Sequence, residues 1–383
     1  MSSTQRSLFM PLYGYYPSDP RVRKEVHELL RLNIDVHIIC LNQDGADLPP
    51  HVFVHPLMRH VLSRQRESVP NLIFFWILCF IFFLKQGPGL IIHAHDLTAL
   101  PPAALAKFFH FCSILIYDSH EFFPDAARTE LGFVFGFFFF TLEKLCVLFV
   151  DLFVGISPFQ RDLFYRRYHK SMIVLPNYPT LREVSTLRSL PPLKFPVDGF
   201  VVLAHGTVRK DRCYFELIDA FKLISDAGLN IHLLIIGDGP DKLAVDDLIK
   251  TYNLSNVHSI GKLPFSDTFR YLMGSDAAIG LSDFTIPNMY GSSNKLYEYI
   301  AADVPAAYSN HPGSRAQLTK AHFIPVNRYT SKAIYQSILK LQHTDSSLFK
   351  DNLSLIEQFY NWEKACDRLV ALYSQVFHIK VNS

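Results

Sequence analysis

A turn of small polar residues runs directly into a predicted helix in the segment GSSNKLYEYI, residues 291–300. The free backbone N–H groups and the positive dipole end at the start of such a helix suit a phosphate group. Glu298 lies in the first turns, where its carboxylate can accept hydrogen bonds from the vicinal hydroxyls of a ribose. For this segment alone, an N-cap followed by an exposed glutamate is the simpler alternative.

A basic loop, HGTVRKDR at residues 205–212, follows the first predicted strand of the second half of the chain. Cationic side chains on a glycine-containing loop can neutralise a diphosphate leaving group. A solvated basic loop would explain the same residues equally well. The turn GDGP at 237–240 also follows a strand, and a structural role is favoured for it. It is not a dinucleotide fingerprint, because Lys242 stands where the third glycine would fall.

Two histidine clusters follow neighbouring predicted strands of the first half, HAHD at 93–96 and DSHE at 118–121. The carboxyl ends of such strands meet at one edge of a parallel sheet. There, a histidine beside a carboxylate can orient sugar hydroxyls or transfer a proton. A metal site is the less favoured alternative, because the ligands lie on separate loops without the spacing of a zinc motif.

The elements that must position these residues alternate between strands and helices in both halves, which predicts an α/β fold with two Rossmann-like domains. Predicted strands cover residues 7–12, 36–41, 90–93, 114–117, 152–156 and 172–175, then 200–204, 231–236, 257–260 and 277–281. Predicted helices cover residues 21–32, 214–227, 241–252, 295–302 and 362–376. A proline-rich segment predicts a linker at 181–197, between a domain of residues 1–180 and one of residues 198–362.

Charge and cysteine content restrict the class of protein. The 383 residues include 37 basic and 35 acidic side chains, and a formal charge of +2 gives no reason to expect nucleic acid. The six cysteines form no CxxC pair, which favours free thiols in a reducing cytoplasm. The N-terminus lacks a basic region followed by a long apolar core, so we expect no signal peptide.

Two phenylalanine-rich apolar runs cover residues 72–84 and 131–142. Both are shorter than the roughly twenty residues that a membrane-spanning helix needs. We therefore expect helices that are buried in the protein. The alternative is that they, or their exposed faces, rest on a membrane surface.

Several segments resemble family-4 retaining glycosyltransferases of the GT-B fold, especially those of bacterial surface-polysaccharide gene sets. The similar segments are SDPRVRKEVHELLRLNIDVHIICLN, IIHAHDLTALPPAALA, ILIYDSHEFFPD, VLPNYP, LLIIGDGP, NVHSIGKLPFSDTFRYLMGSDAAIGL and SSNKLYEYIAADVPAAYSNHPG. They follow the family's order across nearly the whole chain. The resemblance implies two Rossmann-like domains facing across a cleft, with a C-terminal helix at 363–383 that crosses back to the first domain.

The resemblance also implies roles for individual residues. Glu298 matches the second glutamate of the family's E-x7-E motif, which binds the donor ribose, and Arg212 matches a basic residue that holds the diphosphate. His120 resembles the histidine at the reaction centre, and His95 is a second candidate. The carboxylates expected to act with them are Asp96 and Glu121. The other residues expected to border the donor are Gly14, Asp19, Gly206, Arg209, Gly237, Ser293, Asn294, Lys295 and Leu296.

Three positions depart from the family pattern. Tyr290 stands where the motif has its first glutamate, which in the family contacts the donor sugar. Cys213 and Asp303 each stand where the family commonly has a glycine. The first departure puts the identity of the sugar, and turnover itself, in question.

The implied function is a cytoplasmic hexosyltransferase that moves a sugar from a nucleotide-diphosphate sugar to a glycan or lipid-linked acceptor with retention of configuration. We expect no cofactor beyond this co-substrate, no required metal, and contact with the inner face of the membrane as an option. The alternatives are a sugar-nucleotide epimerase and a noncatalytic nucleotide-sugar-binding protein.

Overall fold

The computed structural model describes residues 6–42, 48–59, 68–317, 319–349 and 352–379. The chain divides into two compact units, one of Met1–Asn177 with Ala365–Ser383 and one of Tyr178–Lys364. Each unit is built on one parallel sheet with helices packed against it. The predicted α/β class is thus confirmed for both units.

The first unit has seven parallel strands. They are β1 (Ser7–Pro11), β2 (Asp35–Cys40), β3 (Val52–Pro56), β4 (Leu90–His95), β5 (Cys112–Ser119), β6 (Leu152–Gly155) and β7 (Ile173–Val174). The helices are α1 (Pro20–Arg31), α2 (Val69–Gln86), α3 (Leu100–Phe108), α4 (Phe123–Leu131), α5 (Phe133–Cys146) and α6 (Pro158–Tyr168). The strand order is β3-β2-β1-β4-β5-β6-β7, so the order reverses between β1 and β4. Ligands of such sheets bind beyond the carboxyl ends of the strands at this switch point.

The second unit has six parallel strands. They are β8 (Phe200–His205), β9 (Ile231–Ile236), β10 (Val257–Ser259), β11 (Ala277–Gly280), β12 (Ala306–Ser309) and β13 (Ile324–Val326). The helices are α7 (Leu181–Arg188), α8 (Tyr214–Asp226), α9 (Lys242–Thr251), α10 (Phe265–Gly274), α11 (Ile286–Tyr290), α12 (Asn294–Ala302), α13 (Pro312–Gln317), α14 (Ser331–His343), α15 (Asn352–Gln358) and α16 (Trp362–Ala365). The order is β10-β9-β8-β11-β12-β13, and its switch point lies between β8 and β11.

Helix α1 shows how the sequence positions charged groups in the first unit. Asp19 caps the helix by accepting hydrogen bonds from the N–H groups of Arg21 and Val22, and Pro20 occupies the first turn. The buried side of the helix carries aliphatic residues, as its 3.6-residue period predicts. Glu25 lies on this same buried side, which places an ionisable group inside the core.

Three strands were not predicted, namely β3, β12 and β13. Strand β12 is AAYS, and alanine has little strand preference, so its sequence carries a weak signal. Strand β13 is IPV at the edge of the sheet, the position where a proline is tolerated. Strand β3 is also an edge strand and is only partly buried.

The stretch predicted as a linker, residues 181–197, contains helix α7 and belongs to the second unit. A capping box between Thr180 and Glu183 starts this helix, and Val184 packs into the core of the unit. The predicted linker therefore begins with a helix in its first half. The prolines that suggested a linker lie on either side of the helix.

The predicted helix at 362–376 is divided into α16 and a last helix, α17 (Asp367–Val376). Cys366 separates them and is the N-cap of α17. The segment Ala365–Ser383 belongs to the first unit, where α17 packs against α1. Of the predicted crossing-back segment, residues 380–383 lie outside the described residues.

The two apolar runs form α2 and α5, and the expectation of buried helices was wrong for most of their residues. Each helix buries one side against the sheet: Phe75, Cys79 and Phe83 are fully buried in α2, and Phe139 is buried in α5. A helix that covers a sheet buries only one side. The opposite sides expose apolar side chains, and α2 is 18 residues long rather than thirteen.

Candidate active site

A cavity of about 280 Å³ lies at the switch point of the second sheet. It is lined by Thr207, Arg212, Ser282, Pro287, Asn288, Tyr308 and residues 291–295. Thr207 and Arg212 follow β8, and Ser282 follows β11, so the two loops at the reversal of strand order contribute to one hollow. This is where the topology predicts a ligand.

Helix α12 begins at the wall of this cavity. Ser293 is its N-cap, and both Asn294 and Lys295 line the cavity, so the positive end of the helix dipole is at the wall. The side chain of Leu296 is buried in the core and anchors the first turn. An anion in the cavity would lie at this positive end of the helix.

Two cationic side chains share the cavity. Lys295 lies against Gly206, since a Cβ atom added to Gly206 would be 3.0 Å from the Lys295 Nζ atom. Gly206 has a φ of +108°, a backbone conformation that favours glycine. Burial and the neighbouring Arg212 guanidinium lower the pKa of Lys295 to about 8. A bound anion would relieve this repulsion, which makes the cavity suited to a phosphate or diphosphate.

Glu298 lies one turn along α12 from Asn294, and its Oε2 atom is 3.2 Å from the Nε2 atom of His205. Among the described residues, neither atom has a partner with hydrogen-bond geometry. Burial raises the pKa of Glu298 to about 7, although Lys295 opposes this shift. Burial and then Lys295 lower the pKa of His205 to about 3, so His205 is neutral at pH 7. Glu298 therefore has free acceptor capacity next to the cationic cavity.

Two other predicted donor residues have structural partners. Arg209 pairs with Asp211 at 2.6 Å and is not among the described residues that line the cavity. Gly237 supports the loop after β8, because a Cβ atom there would be 1.9 Å from the carbonyl oxygen of Gly206. For Gly237 the geometry favours the structural role that the turn suggested.

In the first unit, Arg21 forms a buried bidentate ion pair with Asp118. The Nε atom of Arg21 is 2.9 Å from Oδ2 of Asp118, and Nη2 is 2.8 Å from Oδ1. Arg21 Nη1 donates to the carbonyl oxygen of Leu175. Both charged side chains are almost fully buried, so the charge of each is compensated by the charge of the other.

His120 lies between two carboxylates at the carboxyl ends of β4 and β5. Its Nε2 atom is 3.1 Å from Oδ2 of Asp118, and its Nδ1 atom is 3.2 Å from Oδ2 of Asp96. Burial lowers the pKa of His120, but Asp96 and Asp118 outweigh it and raise the value to about 10. At neutral pH this histidine is an imidazolium, which can donate hydrogen bonds but cannot accept a proton.

His95 is fully buried, with Nδ1 3.2 Å from Nε2 of His120. It stacks on His93, whose Nδ1 atom is 2.6 Å from the hydroxyl of Tyr373 in α17. Burial lowers the pKa of both His93 and His95. Thus two of the three histidines here are neutral, and only His120 reaches the surface of the cluster.

Metal-ligating side chains do meet in this unit. One potential ligand atom from each of Glu25, His93, His95 and Asp118 lies within 4.8 Å of the others. Arg21 already supplies a positive charge there, with its Nε atom 3.1 Å from Glu25 Oε1. Burial and Asp118 raise the pKa of Glu25 well above its usual value, which favours its neutral form. We therefore assign the positive charge of this cluster to Arg21.

The remaining predicted site residues of the first unit have different surroundings. Asp19 caps α1, Gly14 is buried in the loop after β1, and the side chain of Glu121 is exposed. Asp96 has a φ of +62° and accepts a hydrogen bond from the backbone N–H of His120. Its pKa is raised to about 7, chiefly by burial. Of these residues, Asp96 is the one in direct contact with His120.

Sequence reasoning missed several residues of both sites. Arg21 and Glu25 carry a usable signal, because charged residues on the apolar side of a helix must find partners in the core. Ser282 and Tyr308 carry none, since they enter the cavity through the order of strands in the sheet. Tyr290, which replaces the first motif glutamate, ends α11 and is not among the described lining residues.

Cys213 and Asp303, the two other departures from the family pattern, share an unusual backbone conformation. Cys213 has a φ of +54° and Asp303 a φ of +58°, both in the left-handed region. Glycine adopts this region without strain, whereas other residues are disfavoured there. Cys213 precedes α8 and Asp303 follows α12, so both lie at helix ends.

Comparisons with known proteins agree with this architecture. Residues 188–361 match the family model described as Glycosyl transferases group 1. The chain is 24% identical over 351 residues to the capsular polysaccharide biosynthesis glycosyltransferase CapM of Staphylococcus aureus, covering 86% of each protein.

Solved structures of low sequence identity share the fold. A sucrose-phosphate synthase from Thermosynechococcus elongatus has a TM-score of 0.74 at 14% identity, over 98% of this chain and 100% of that one. WaaG, a glycosyltransferase involved in lipopolysaccharide biosynthesis, has a TM-score of 0.65 at 11% identity, over 95% and 99%. The similarity of both parallel-sheet domains confirms the predicted GT-B fold class.

Proposed function

We propose that this chain, which carries a glycosyltransferase group 1 domain at residues 188–361, transfers a hexose from a nucleotide-diphosphate sugar to a glycan or lipid-linked acceptor. The observation that carries the proposal is the cavity at the start of α12, where Arg212 and Lys295 lie at the positive end of the helix dipole. A diphosphate is the part of such a donor that this combination of charges and donors fits.

The proposed donor pose follows from α12. With the diphosphate at the first turn, Glu298 is one turn further along the helix and its carboxylate accepts hydrogen bonds from the ribose hydroxyls. As the bond between the sugar and the phosphate breaks, negative charge grows on the leaving diphosphate. Arg212, Lys295 and the helix dipole are already in place to stabilise that charge, without reorganisation during the reaction.

The polar cluster of the first unit has a different proposed role. His120, held protonated by Asp96 and Asp118, acts as a fixed positive charge beside the sugar. His95 and Asp96 position it, and Glu121 remains a predicted catalytic carboxylate. Retention of configuration and independence from metal are part of the proposal. They are supported by the family resemblance and by the two protein cations at the diphosphate.

A cytoplasmic location is proposed as well. All six cysteines are buried and form no disulfide bond, as expected for a protein that folds in a reducing compartment. The relative CapM is named for capsular polysaccharide biosynthesis, which supports a sugar acceptor of the surface-polysaccharide class for this chain.

The second candidate is a noncatalytic protein that binds nucleotide sugars, and Tyr290 is the observation that favours it. This residue replaces a glutamate and lies between Asn288 and Gly291, which both line the cavity. A tyrosine can contact a sugar but cannot provide the carboxylate of the family motif.

A test begins with thermal stabilisation by UDP-, GDP-, dTDP- and ADP-sugars, since a bound donor raises the melting temperature by mass action. The stabilising donor is then incubated with candidate acceptors, and the nucleoside diphosphate released is measured. We expect acceptor-dependent release, reduced about 100-fold or more in Arg212→Ala and unchanged in Lys250→Ala, an exposed cation on α9.

Three other results of this test would contradict transfer and support a different function. Stabilisation by a donor without release would support the binding protein, and an isomerised donor would support an epimerase. If none of the four donors stabilised the protein, the proposal that it binds a nucleotide sugar would be contradicted.

A further inference from the structure

The first unit exposes a large apolar surface, here called the apolar face, formed by the outer sides of α2, α3 and α5. Its members are large aliphatic and aromatic side chains, among them Ile77, Ile81, Phe108, Phe109, Phe133 and Phe137. Monomeric soluble proteins rarely expose contiguous apolar patches larger than a few hundred Å². Such a surface therefore needs a partner.

The apolar face is continuous across the three helices. Helix α2 packs on α3, and α3 packs on α5. Ring contacts connect them at the surface: Phe80 of α2 lies 5.9 Å from Phe109, and Phe108 lies 5.6 Å from Phe149, which follows α5. Phe108 and Phe109 are 5.0 Å apart and complete the row.

Helix α2 is long and apolar enough to cross a membrane by composition, with a mean hydropathy of 1.8 over 18 residues. The structure gives it another role. Phe75, Cys79 and Phe83 have no exposed surface and pack into the core with the sheet. Only 22% of the helix is buried, so its other side is free. A helix held in this way can lie in the plane of a membrane surface, but it cannot span the bilayer without leaving the sheet.

The exposed charges of the three helices are all basic. Lys85 and Lys144 are exposed near the ends of α2 and α5, and Lys107 of α3 is partly exposed and pairs with Asp151. The one acidic residue of these helices, Glu143, is buried and accepts a hydrogen bond from Tyr117. Lysine side chains at the border of an apolar surface extend toward anionic headgroups while their stems remain in apolar contact.

We propose that the apolar face docks this protein on the surface of an anionic lipid bilayer, with α2 and α5 lying in the headgroup region. A second copy of the chain is the competing occupant. A two-fold contact would place the same basic border against itself, with like charges facing each other. Lipid phosphates instead complement Lys85 and Lys144. This proposal extends the proposed function but stands on a separate observation, because lipid binding is measured without the transfer reaction.

The experiment is flotation of the full chain with phosphatidylglycerol-containing vesicles and with pure phosphatidylcholine vesicles. The paired variant Ile77→Glu with Phe137→Glu changes two side chains that are 51% and 62% exposed. Leu243→Glu, at a residue 79% exposed on α9 of the second unit, is the matched control. Circular dichroism and thermal melting verify that every variant is folded.

We expect the protein to float with anionic vesicles. The paired variant should reduce binding by about tenfold or more per substitution, from lost apolar burial, and Leu243→Glu should have no effect. Lys85→Gln and Lys144→Gln should each reduce binding roughly fivefold, and only with anionic vesicles.

Absence of flotation with both vesicle types would overturn the proposal, as would undiminished binding of a folded paired variant. Concentration-dependent dimers that the paired variant abolishes, without lipid binding, would assign the face to a second copy instead.

Discussion

The two units use the same sheet architecture but differ in how the charges at the switch point are arranged. In the first unit, Arg21 is matched by Asp118, and His120 is matched by Asp96 and Asp118. In the second unit, Lys295 and Arg212 are close enough for Arg212 to contribute to lowering the pKa of Lys295. A compensated buried network holds a group in place, whereas neighbouring cations at a helix start favour an anion. We therefore propose that the sheet edge positions a side chain in the first unit and binds an anion in the second.

The largest expected effect is on the first unit. Asp118→Asn leaves the buried Arg21 without its carboxylate, so we expect the free energy of unfolding to fall by about 3–5 kcal/mol. Hydrogen exchange of the β4 and β5 amides measures this loss within the unit. Asp162→Asn, which breaks an exposed pair with Arg161, should change stability by less than about 1 kcal/mol.

Lys295→Met tests the stability contribution of a site charge in the second unit. Burial already disfavours the charged form of Lys295, so removal of the charge should leave the free energy of unfolding within about 0.5 kcal/mol of wild type, or raise it. Urea unfolding measures this difference. A loss as large as that of Asp118→Asn would mean that the two units do not differ as described.

Donor affinity should depend on pH in a bell-shaped manner. The Glu298 carboxylate accepts from the ribose only when deprotonated, so affinity should fall as the pH decreases through about 7. The Lys295 ammonium holds the diphosphate only when protonated, so affinity should also fall as the pH rises through about 8. Calorimetric titrations from about pH 5.5 to about pH 9.5 would test both flanks, because each limit lies roughly 1.5 units beyond the nearer pKa.

Two variants identify the group that causes each flank of the pH profile. Glu298→Gln should remove the acidic flank, and Lys295→Arg should remove the alkaline flank, because arginine stays protonated throughout. A profile that keeps both flanks in both variants would attribute the pH dependence to other groups.

The stability of the first unit should decrease at alkaline pH. The folded pKa of His120 is raised from 6.5 to about 10, so its contribution is fully present below pH 6.5 and is lost as the pH rises through about 10. Hydrogen exchange in β5 measures this trend. His120→Gln should flatten it, and an unchanged trend would contradict a protonated His120.

The smallest expected effect is at a helix end. Asp303→Gly relieves a left-handed backbone at the end of α12, and we expect a stabilisation of about 0.5 kcal/mol. A small rise in melting temperature checks it. Destabilisation would show that the aspartate has compensating contacts.

Local patterns were sufficient for the α/β class, for α12 and the polar turn before it, and for most central strands. They were insufficient where tertiary context decides. The segment AAYS forms strand β12 because it pairs with β11. Helix α2 covers the sheet with one side only, so the other side of its apolar run stays exposed. The ion pair of Arg21 and Asp118 joins residues 97 positions apart, so no local pattern could reveal it.

We propose that a nucleoside diphosphate binds beside Lys295 and Arg212 at the start of α12. The direct measurement is calorimetric titration of wild type, Lys295→Met and Lys250→Met with the nucleoside diphosphate of the stabilising donor at pH 7. We predict that Lys295→Met weakens binding by about 10- to 100-fold, the loss of one charge-assisted hydrogen bond, and that Lys250→Met does not. Equal affinity of a folded Lys295→Met protein and wild type would contradict the account.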